Sequence, residues 1–403
     1  MQPQPGAAGR PRAGAAVLGL ALSLAAVGSL YGTAFYGRSQ ARTDFGGYVL
    51  YLSNPRHPLD PHFLYEVLSR GLSRLLGFSL LNAGLLTALA AVLAATAITY
   101  VLLLDALPRR WGSWGPALLA AFVASVLQMV APIVFATAWA GNLYLAYMAP
   151  NVYHNPTVVL LKPFGLLLMV EAAAAFGPGA AGLWTLVRGA LWSFLSTVAK
   201  PSLALALVPA LVVLAGATIL LRRPLRKVQV TVLLGALGAV LLGQYLYAQN
   251  TGDPNVTQAY FRPGYLDNLY ISYFHVTAVG GPWWLALRYL LSVAFPIAVL
   301  LLFRRTVLQD RLLVLAWVTM LFAAFVNFSF VEGLGDYALD GNYQWTGEIG
   351  VYLLFIASAI HVLRHGLDLV TWRTAICGTV FGLHLAAGLV FFAAHFHGLP
   401  WVV

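Results

Sequence analysis

Residues 79–104 read SLLNAGLLTALAAVLAATAITYVLLL, a stretch without a single charged side chain. An α-helix needs about 20 predominantly apolar residues to cross the hydrocarbon core of a bilayer. The chain of 403 residues follows the same trend, since 60% of it is hydrophobic and 9% is charged, whereas soluble domains carry about 25% charged residues. The sequence therefore predicts an all-α polytopic transmembrane bundle. Residues 1–403 are expected to form a single transmembrane domain.

Similar stretches recur along the chain, and about eleven of them are predicted to span the membrane. They lie at approximately 14–36, 79–104, 115–138, 157–176, 182–199, 201–221, 228–247, 284–303, 312–330, 349–364 and 375–395. The first is expected to be a retained anchor, because it is longer than the apolar run of a cleaved signal peptide.

The basic residues set the expected orientation. They cluster in alternate loops between spans, which places the N-terminus in the cytoplasm by the positive-inside rule. The clusters contain Arg109, Arg110, Arg222, Arg223, Arg226, Lys227, Arg304, Arg305, Arg311, Arg364 and Arg373. The net charge of +10 therefore reflects the orientation of the chain in the membrane and does not indicate nucleic-acid binding. A composition rich in Ala, Leu, Gly and Arg favours a multi-pass protein of a bacterial inner (plasma) membrane.

The extracytoplasmic side is expected to carry the chemistry. Its loops, at about 37–78, 139–156, 248–283 and 331–348, are rich in aromatic, Asn, Pro and acidic residues. In the first of them, residues 60–77 are predicted to form a helix that lies on the membrane. Apolar side chains recur along one face of that helix and charged side chains along another.

Two of the three lysines, Lys162 and Lys200, lie inside or at the mouth of apolar stretches, and each precedes a proline. A lysine within a membrane segment costs about 2.5–3.5 kcal/mol on insertion scales and is usually retained for function. Two ammonium groups near one membrane face predict an anionic ligand, such as a lipid-linked phosphate or diphosphate. The alternatives are that Lys162 snorkels outward to the headgroups and that Lys200 is an ordinary outer-loop lysine.

The segment at 150–163, PNVYHNPTVVLLKP, is the richest motif of the chain. His154 and Asn155 supply polar groups at the outer boundary, and Pro156 stands where a span is expected to begin. Lys162 follows roughly 9 Å deeper along that helix. His154 and Asn155 are therefore candidates to contact the same ligand as Lys162.

Asp44 follows the first span closely, in the stretch RTDFGGYVLY. It could act as a general base toward a substrate hydroxyl, or it could be a solvated loop acid paired with Arg42.

His62 is a candidate substrate contact. Together with His57 and Asp60 it does not show a standard zinc spacing, so no metal site is predicted.

The last outer loop contains acids and amides interleaved with aromatic residues, which is typical of sugar-binding surfaces. The candidate acceptor-binding residues there are Asp336, Asp340, Asn342, Trp345 and Glu348. The alternative is a polar loop whose aromatics lie at the membrane interface. Within the spans, Glu171 and Arg188 are predicted to pair with each other, which is a structural role.

This layout resembles the GT-C superfamily of membrane glycosyltransferases, which use sugars linked to polyprenyl phosphate. Asp44 stands where that family places its catalytic acid, in a first outer loop that also holds an interfacial helix, here Phe63–Gly77. The family often has an acidic pair in this loop, and larger members have a C-terminal periplasmic domain. No adjacent acidic pair stands in this loop, and no C-terminal periplasmic domain is expected here. The PNVYHNPT stretch with its downstream lysine is also similar to membrane proteins of bacterial surface-polysaccharide assembly.

The resemblance implies an inverting transfer of a sugar from a polyprenyl-phosphate carrier to a glycan or lipid acceptor outside the cytoplasm. Asp44 would be the catalytic base, and Lys162, Lys200 and Arg262 would bind the lipid phosphate. Neither a cofactor nor a metal is expected, because a monophosphate leaving group does not require one.

Two alternatives stay open at the level of the sequence. A polymerase or ligase acting on lipid-diphosphate oligosaccharides would depend on Arg262 and His275 in the long loop at 248–283. A lipid or solute transporter would depend on polar residues within the membrane, for which Glu171, Arg188 and His384 are the candidates.

Overall fold

The computed structural model describes residues 13–36, 44–53, 61–107, 114–134, 147–151, 155–251, 259–261, 282–332, 343–366 and 371–397. The regular elements of these residues are helices, apart from a short antiparallel ribbon that pairs Tyr260 with Val331. In chain order the elements are α1 (Ala13–Tyr36), α2 (Asp44–Ser53), α3 (Leu64–Leu76), α4 (Leu80–Ala106), α5 (Trp114–Leu127), α6 (Pro156–Ala175), α7 (Leu183–Ala199), α8 (Ser202–Leu220), α9 (Lys227–Thr251), β1 (Ala259–Phe261), α10 (Pro282–Ser292), α11 (Ala294–Leu302), α12 (Arg304–Val307), α13 (Arg311–Ser329), β2 (Phe330–Glu332), α14 (Gln344–His365) and α15 (Trp372–Phe396).

Seven of the described helices are long and apolar enough to cross a membrane: α1, α4, α6, α8, α9, α14 and α15. The chain is thus a multi-pass, all-helical membrane protein. The predicted number of about eleven spans is not reached by this criterion. Two of the other predicted spans fall on the shorter apolar helices α5 and α13. A third falls on α7, which has 17 residues, and a fourth is divided between α10 and α11.

Helix α5 shows why the length of an apolar run in the sequence can overestimate the length of the helix. The prediction extended this span to residue 138, but the helix ends at Leu127 and the chain continues without helical structure to residue 134. That segment is held inside the protein, where the Ala131 amide donates to the His384 carbonyl at 3.1 Å. Such backbone is tolerated at membrane depth only where protein surrounds it and satisfies its polar groups.

Helix α14 forms the centre of the bundle. Every residue from Trp345 to His361 is buried, and the helix packs against α4, α6, α8, α11 and α13. A helix that is enclosed all round is a core helix. Any charged residue of α14 between Trp345 and His361 is therefore surrounded by other helices.

The predicted interfacial helix is present as α3. It begins at Leu64, after a turn at residues 61–63, and ends before Gly77, whose φ of 68° is accessible to glycine. Tyr65, Glu66 and Ser69 are buried against the bundle, while Val67, Leu68 and Leu75 are exposed. An apolar face directed away from the protein is typical of a helix that lies at a membrane interface.

The predicted pairing of Glu171 with Arg188 is confirmed. Arg188 Nε lies 3.0 Å from Glu171 Oε1, which links α6 to α7. The pair neutralises a carboxylate that would otherwise be isolated on a buried helix face.

Close packing between α13 and α14 requires a glycine at position 350. A Cβ atom there would lie 3.0 Å from both Ala323 Cβ and Met320 Sδ. We expect Gly350→Val to lower the free energy of unfolding in detergent by about 1–3 kcal/mol, the usual cost of overpacking. Gly238→Val is the matched control, because Gly238 is also helical but a Cβ there meets nothing within 4 Å. Equal losses in the two variants would contradict this assignment.

Candidate functional site

Three buried charged residues lie together at one end of the bundle. We call this the lysine end: helices α6, α8 and α14 begin there, and α7 ends there. Lys162, Lys200 and Glu348 are each at most 3% exposed. They come from three separate parts of the chain, so only tertiary packing brings them together.

Lys162 is anchored by an amide and an aromatic ring. Its Nζ donates to Asn151 Oδ1 at 3.2 Å and lies 4.6 Å from the centre of the Tyr352 ring. Asn151 is itself held in place, because its NH₂ group donates to the carbonyls of Leu127 and Val130 at 2.8 and 2.9 Å. The side-chain amide of Asn151 thus hydrogen-bonds both to the end of α5 and to the ammonium group of Lys162. Since the side chain is enclosed, the snorkelling alternative for Lys162 is wrong.

Lys200 lies at the junction between α7 and α8, where Pro201 follows it. Its Nζ donates to Thr157 Oγ1 at 3.3 Å and lies 5.7 Å from the centre of the Trp345 ring. A lysine that is 3% exposed is not an ordinary loop residue, so that alternative is also wrong. The aromatic contact attracts the ammonium group to the start of α14.

Asn155 supports the cluster through hydrogen bonds to its neighbours at the start of α6. Its Oδ1 accepts from the Val158 amide at 3.2 Å, as the N-cap of α6, and from Thr157 Oγ1 at 2.7 Å. Thr157 is in turn the acceptor for Lys200. Asn155 therefore positions Thr157 and Lys200.

Glu348 lies one turn into α14. Its Oε1 accepts from Gln344 Nε2 at 3.0 Å. Its Oε2 is buried and has no hydrogen-bond donor among the residues that the structure describes. The carboxylate interacts electrostatically with both Lys162 and Lys200. Two lysines thus share one carboxylate among the residues that the structure describes.

His62 lies beside this cluster, just before α3. Burial and the positive charge of Lys200 both lower the pKa of His62, to about 3. The imidazole is therefore neutral at pH 7 and can donate from one ring nitrogen and accept at the other. Gln244 fixes this segment, because its Nε2 donates to the carbonyls of Pro61 and Thr197 at 2.9 Å each.

The structure thus brings five of the predicted site residues to one place: Lys162, Lys200, His62, Trp345 and Glu348, with Asn155 supporting them. Asp44 is the first residue of α2, but its side chain lies outside the described part of the protein. The remaining predicted residues, His154, Arg262, Asp336, Asp340 and Asn342, also lie outside the described residues.

Aromatic contacts join helix α2, which begins at Asp44, to helices α1 and α3. Phe45 packs against Phe35 at the end of α1, with ring centres 5.3 Å apart. Tyr48 meets Tyr65 of α3 edge-on at 5.6 Å. These contacts fix the backbone of the segment that carries Asp44.

Sequence reasoning missed the groups that surround the lysines. Tyr352 and Gln128 hydrogen-bond to each other at 3.1 Å within the bundle, and Thr157 receives Lys200. Tyr352 follows Glu348 by four residues, so their shared helix face was the one available signal. Gln128 and Thr157 carry no such signal in their local sequence.

A second polar cluster lies at the opposite end of the bundle, which we call the arginine end. Ligand atoms of Asp310, His361 and His365 lie within 4.8 Å of one another. Asp310 Oδ2 is 2.9 Å from His361 Nδ1 and 3.6 Å from Arg364 Nη1, and Asp310 also caps α13. Burial alone would raise the pKa of Asp310, but these hydrogen bonds and charges outweigh it and lower the pKa. The cluster serves to join helices.

The arginine end also holds a cavity of about 820 Å³. The residues of the lysine end do not line it, so the cavity and the buried charges are separate features.

Comparison of the chain with protein-family models, curated protein sequences and solved structures gives no match. Fold and site together define a polytopic helical membrane protein with a buried lysine–glutamate cluster at one end.

The burial of two lysines has a direct chemical consequence. Lys227 at the start of α9 is exposed, whereas Lys162 and Lys200 are enclosed. We expect an amine-reactive ester to modify Lys227 of the folded protein at least about tenfold faster than the other two lysines. Peptide mass spectrometry after brief labelling would measure this. Denatured protein is the control, in which the three lysines should react alike, and comparable rates in the folded protein would contradict the described burial.

Proposed function

We propose that the chain is a membrane glycosyltransferase. It moves a sugar from a polyprenyl-phosphate carrier to a glycan or lipid acceptor, on the extracytoplasmic face of a bacterial inner membrane. The N-terminus is then cytoplasmic, and the lysine end faces outward. The observation that supports this proposal is the convergence of Lys162, Lys200 and Glu348 inside the bundle.

Anion binding accounts for the energetic cost of this arrangement. Each buried ammonium group has lost water, and a buried charge is costly unless an opposite charge compensates it. A phosphate group supplies that charge. In a site shielded from water, fixed ammonium groups stabilise the charge that grows on the leaving phosphate more effectively than water does.

The remaining groups at the lysine end suit a sugar. Trp345 offers an aromatic face to a pyranose ring, and Glu348 Oε2 can accept from a hydroxyl. Neutral His62 can bind either a hydroxyl or a phosphate oxygen. Asp336, Asp340 and Asn342 are proposed to extend acceptor binding, and His154 and Arg262 to extend donor binding. Asp44 is proposed as the general base.

Substitution of the buried lysines tests the phosphate-binding role. We expect Lys162→Met or Lys200→Met to reduce glycosyl transfer from a synthetic polyprenyl-phosphate sugar by about 100-fold or more, the usual effect of removing one transition-state donor. Lys227→Met is the matched control, because it removes the same charge from an exposed position. Transfer within about twofold of wild type in a well-folded buried-lysine variant would refute the proposal.

The two proposed carboxylate roles predict different kinetics. Asp44→Asn removes the base and should lower kcat about 100-fold with little change in KM. Glu348→Gln keeps the side-chain shape and should raise the acceptor KM about tenfold. The KM for the donor should fall, because the carboxylate no longer competes with phosphate for the two lysines. Steady-state kinetics with each substrate varied in turn would separate these effects. A normal kcat for folded Asp44→Asn would remove Asp44 from the mechanism.

Transport is the second candidate function, because the lysine–glutamate cluster lies inside the helical bundle rather than on an exposed loop. Charged residues in such positions can line a substrate path. Reconstituted vesicles would distinguish the two functions: lipid or solute flux that depends on Lys162, without glycosyl transfer, favours transport. A polymerase or ligase instead predicts that Arg262 and His275 matter more than Asp44.

A further inference from the structure

The cavity at the arginine end lies between the last turn of α11, helix α12, the end of α14 and the start of α15. Its lining consists of Leu301, Leu302, Phe303, Arg304, Arg305, Thr306, His365, Gly366, Thr371, Trp372 and Arg373. Along α14, its nearest residue is about 25 Å from Glu348, at 1.5 Å of rise per residue. The cavity is therefore independent of the lysine end and of the proposed function.

Positive charge dominates this cavity. Arg304, Arg305 and Arg373 line it and are exposed, and the described lining residues include no acidic side chain. The nearby acid Asp310 is already engaged by Arg364 and His361. Three guanidinium groups around one cavity are suited to phosphate, because each can donate two parallel hydrogen bonds.

Exposed apolar side chains border the same cavity. Leu301 is 67% exposed and Trp372 is 63% exposed, and the guanidinium of Arg373 lies 5.5 Å from the centre of the Trp372 ring. Tryptophan is enriched where the hydrocarbon of a membrane meets its headgroups. The cavity thus combines a cationic interior with an apolar border at the end of membrane-spanning helices.

We propose that this cavity binds the headgroup of an anionic phospholipid. The three arginines would hold the phosphodiester, and the acyl chains would lie along Leu301 and Trp372. The beginning of α15 adds the partial positive charge of a helix N-terminus. A soluble phosphate would gain nothing from the apolar border, whereas a phospholipid uses both parts of the site. Basic pockets between membrane helices bind anionic headgroups in this way.

Native mass spectrometry of the full-length protein in detergent tests the proposal, with phosphatidylglycerol and phosphatidylcholine as the probes. We expect the wild-type protein to retain phosphatidylglycerol in preference to phosphatidylcholine. In Arg304→Gln/Arg305→Gln, the apparent affinity for phosphatidylglycerol should fall about fivefold for each arginine removed. Binding of phosphatidylcholine should not change.

The chain offers a matched control in Arg222→Gln/Arg223→Gln. It removes the same charge from an adjacent, exposed arginine pair that does not line the cavity, and its affinity should stay within twofold of wild type. Equal losses in both double variants would overturn the proposal, because they indicate general surface charge. Displacement of the lipid by millimolar inorganic phosphate would also overturn it, in favour of a soluble anion. If the first variant does not fold, Arg373→Gln carries the same expectation for one arginine.

Discussion

The bundle depends on one amide, Asn151, because it solves two problems of polar groups in an apolar interior at once. Helix α5 stops inside the protein, which leaves carbonyl groups without intrahelical partners. The NH₂ group of Asn151 donates to the carbonyl of Leu127, the last residue of α5, and to that of Val130 in the segment that follows, and its oxygen accepts from Lys162. A buried polar group without a partner costs several kcal/mol in such surroundings. Asn151 therefore links the break in α5 to the burial of Lys162.

The second constraint is the enclosure of α14 from Trp345 to His361. A helix that is buried all round has no face on which a charged residue can reach water. Glu348 therefore interacts with Lys162, Lys200 and Gln344, while near the other end His361 interacts with Asp310 and Thr306. The intervening residues are packed without charge. The helix thus separates two polar clusters with different chemistry: one is buried and rich in lysine, and the other adjoins an open cavity rich in arginine.

The contrast between lysine and arginine at the two ends has a physical basis. An arginine pair suits an exposed headgroup, because guanidinium is planar and weakly hydrated and binds phosphate at two points. A lysine is a compact charge that a single amide and an aromatic ring can hold in a small buried space, as Asn151 and Tyr352 do. The lysine end is thus built to hold a charge at a fixed position, which is the property that stabilisation of a leaving group requires.

The amino-acid sequence by itself determined the class of the protein, the amphipathic helix α3, the pairing of Glu171 with Arg188 and the position of Lys162 and Lys200 at one end of the bundle. Each of these follows from local apolar run length or from the cost of a charge in a membrane. Tertiary structure alone decided that α5 ends at Leu127, that α10 and α11 are separate helices, and that Tyr352, Gln128 and Thr157 surround the lysines. These features depend on contacts between segments that are distant in the chain, and a helix ends where such contacts satisfy its backbone better than another turn would.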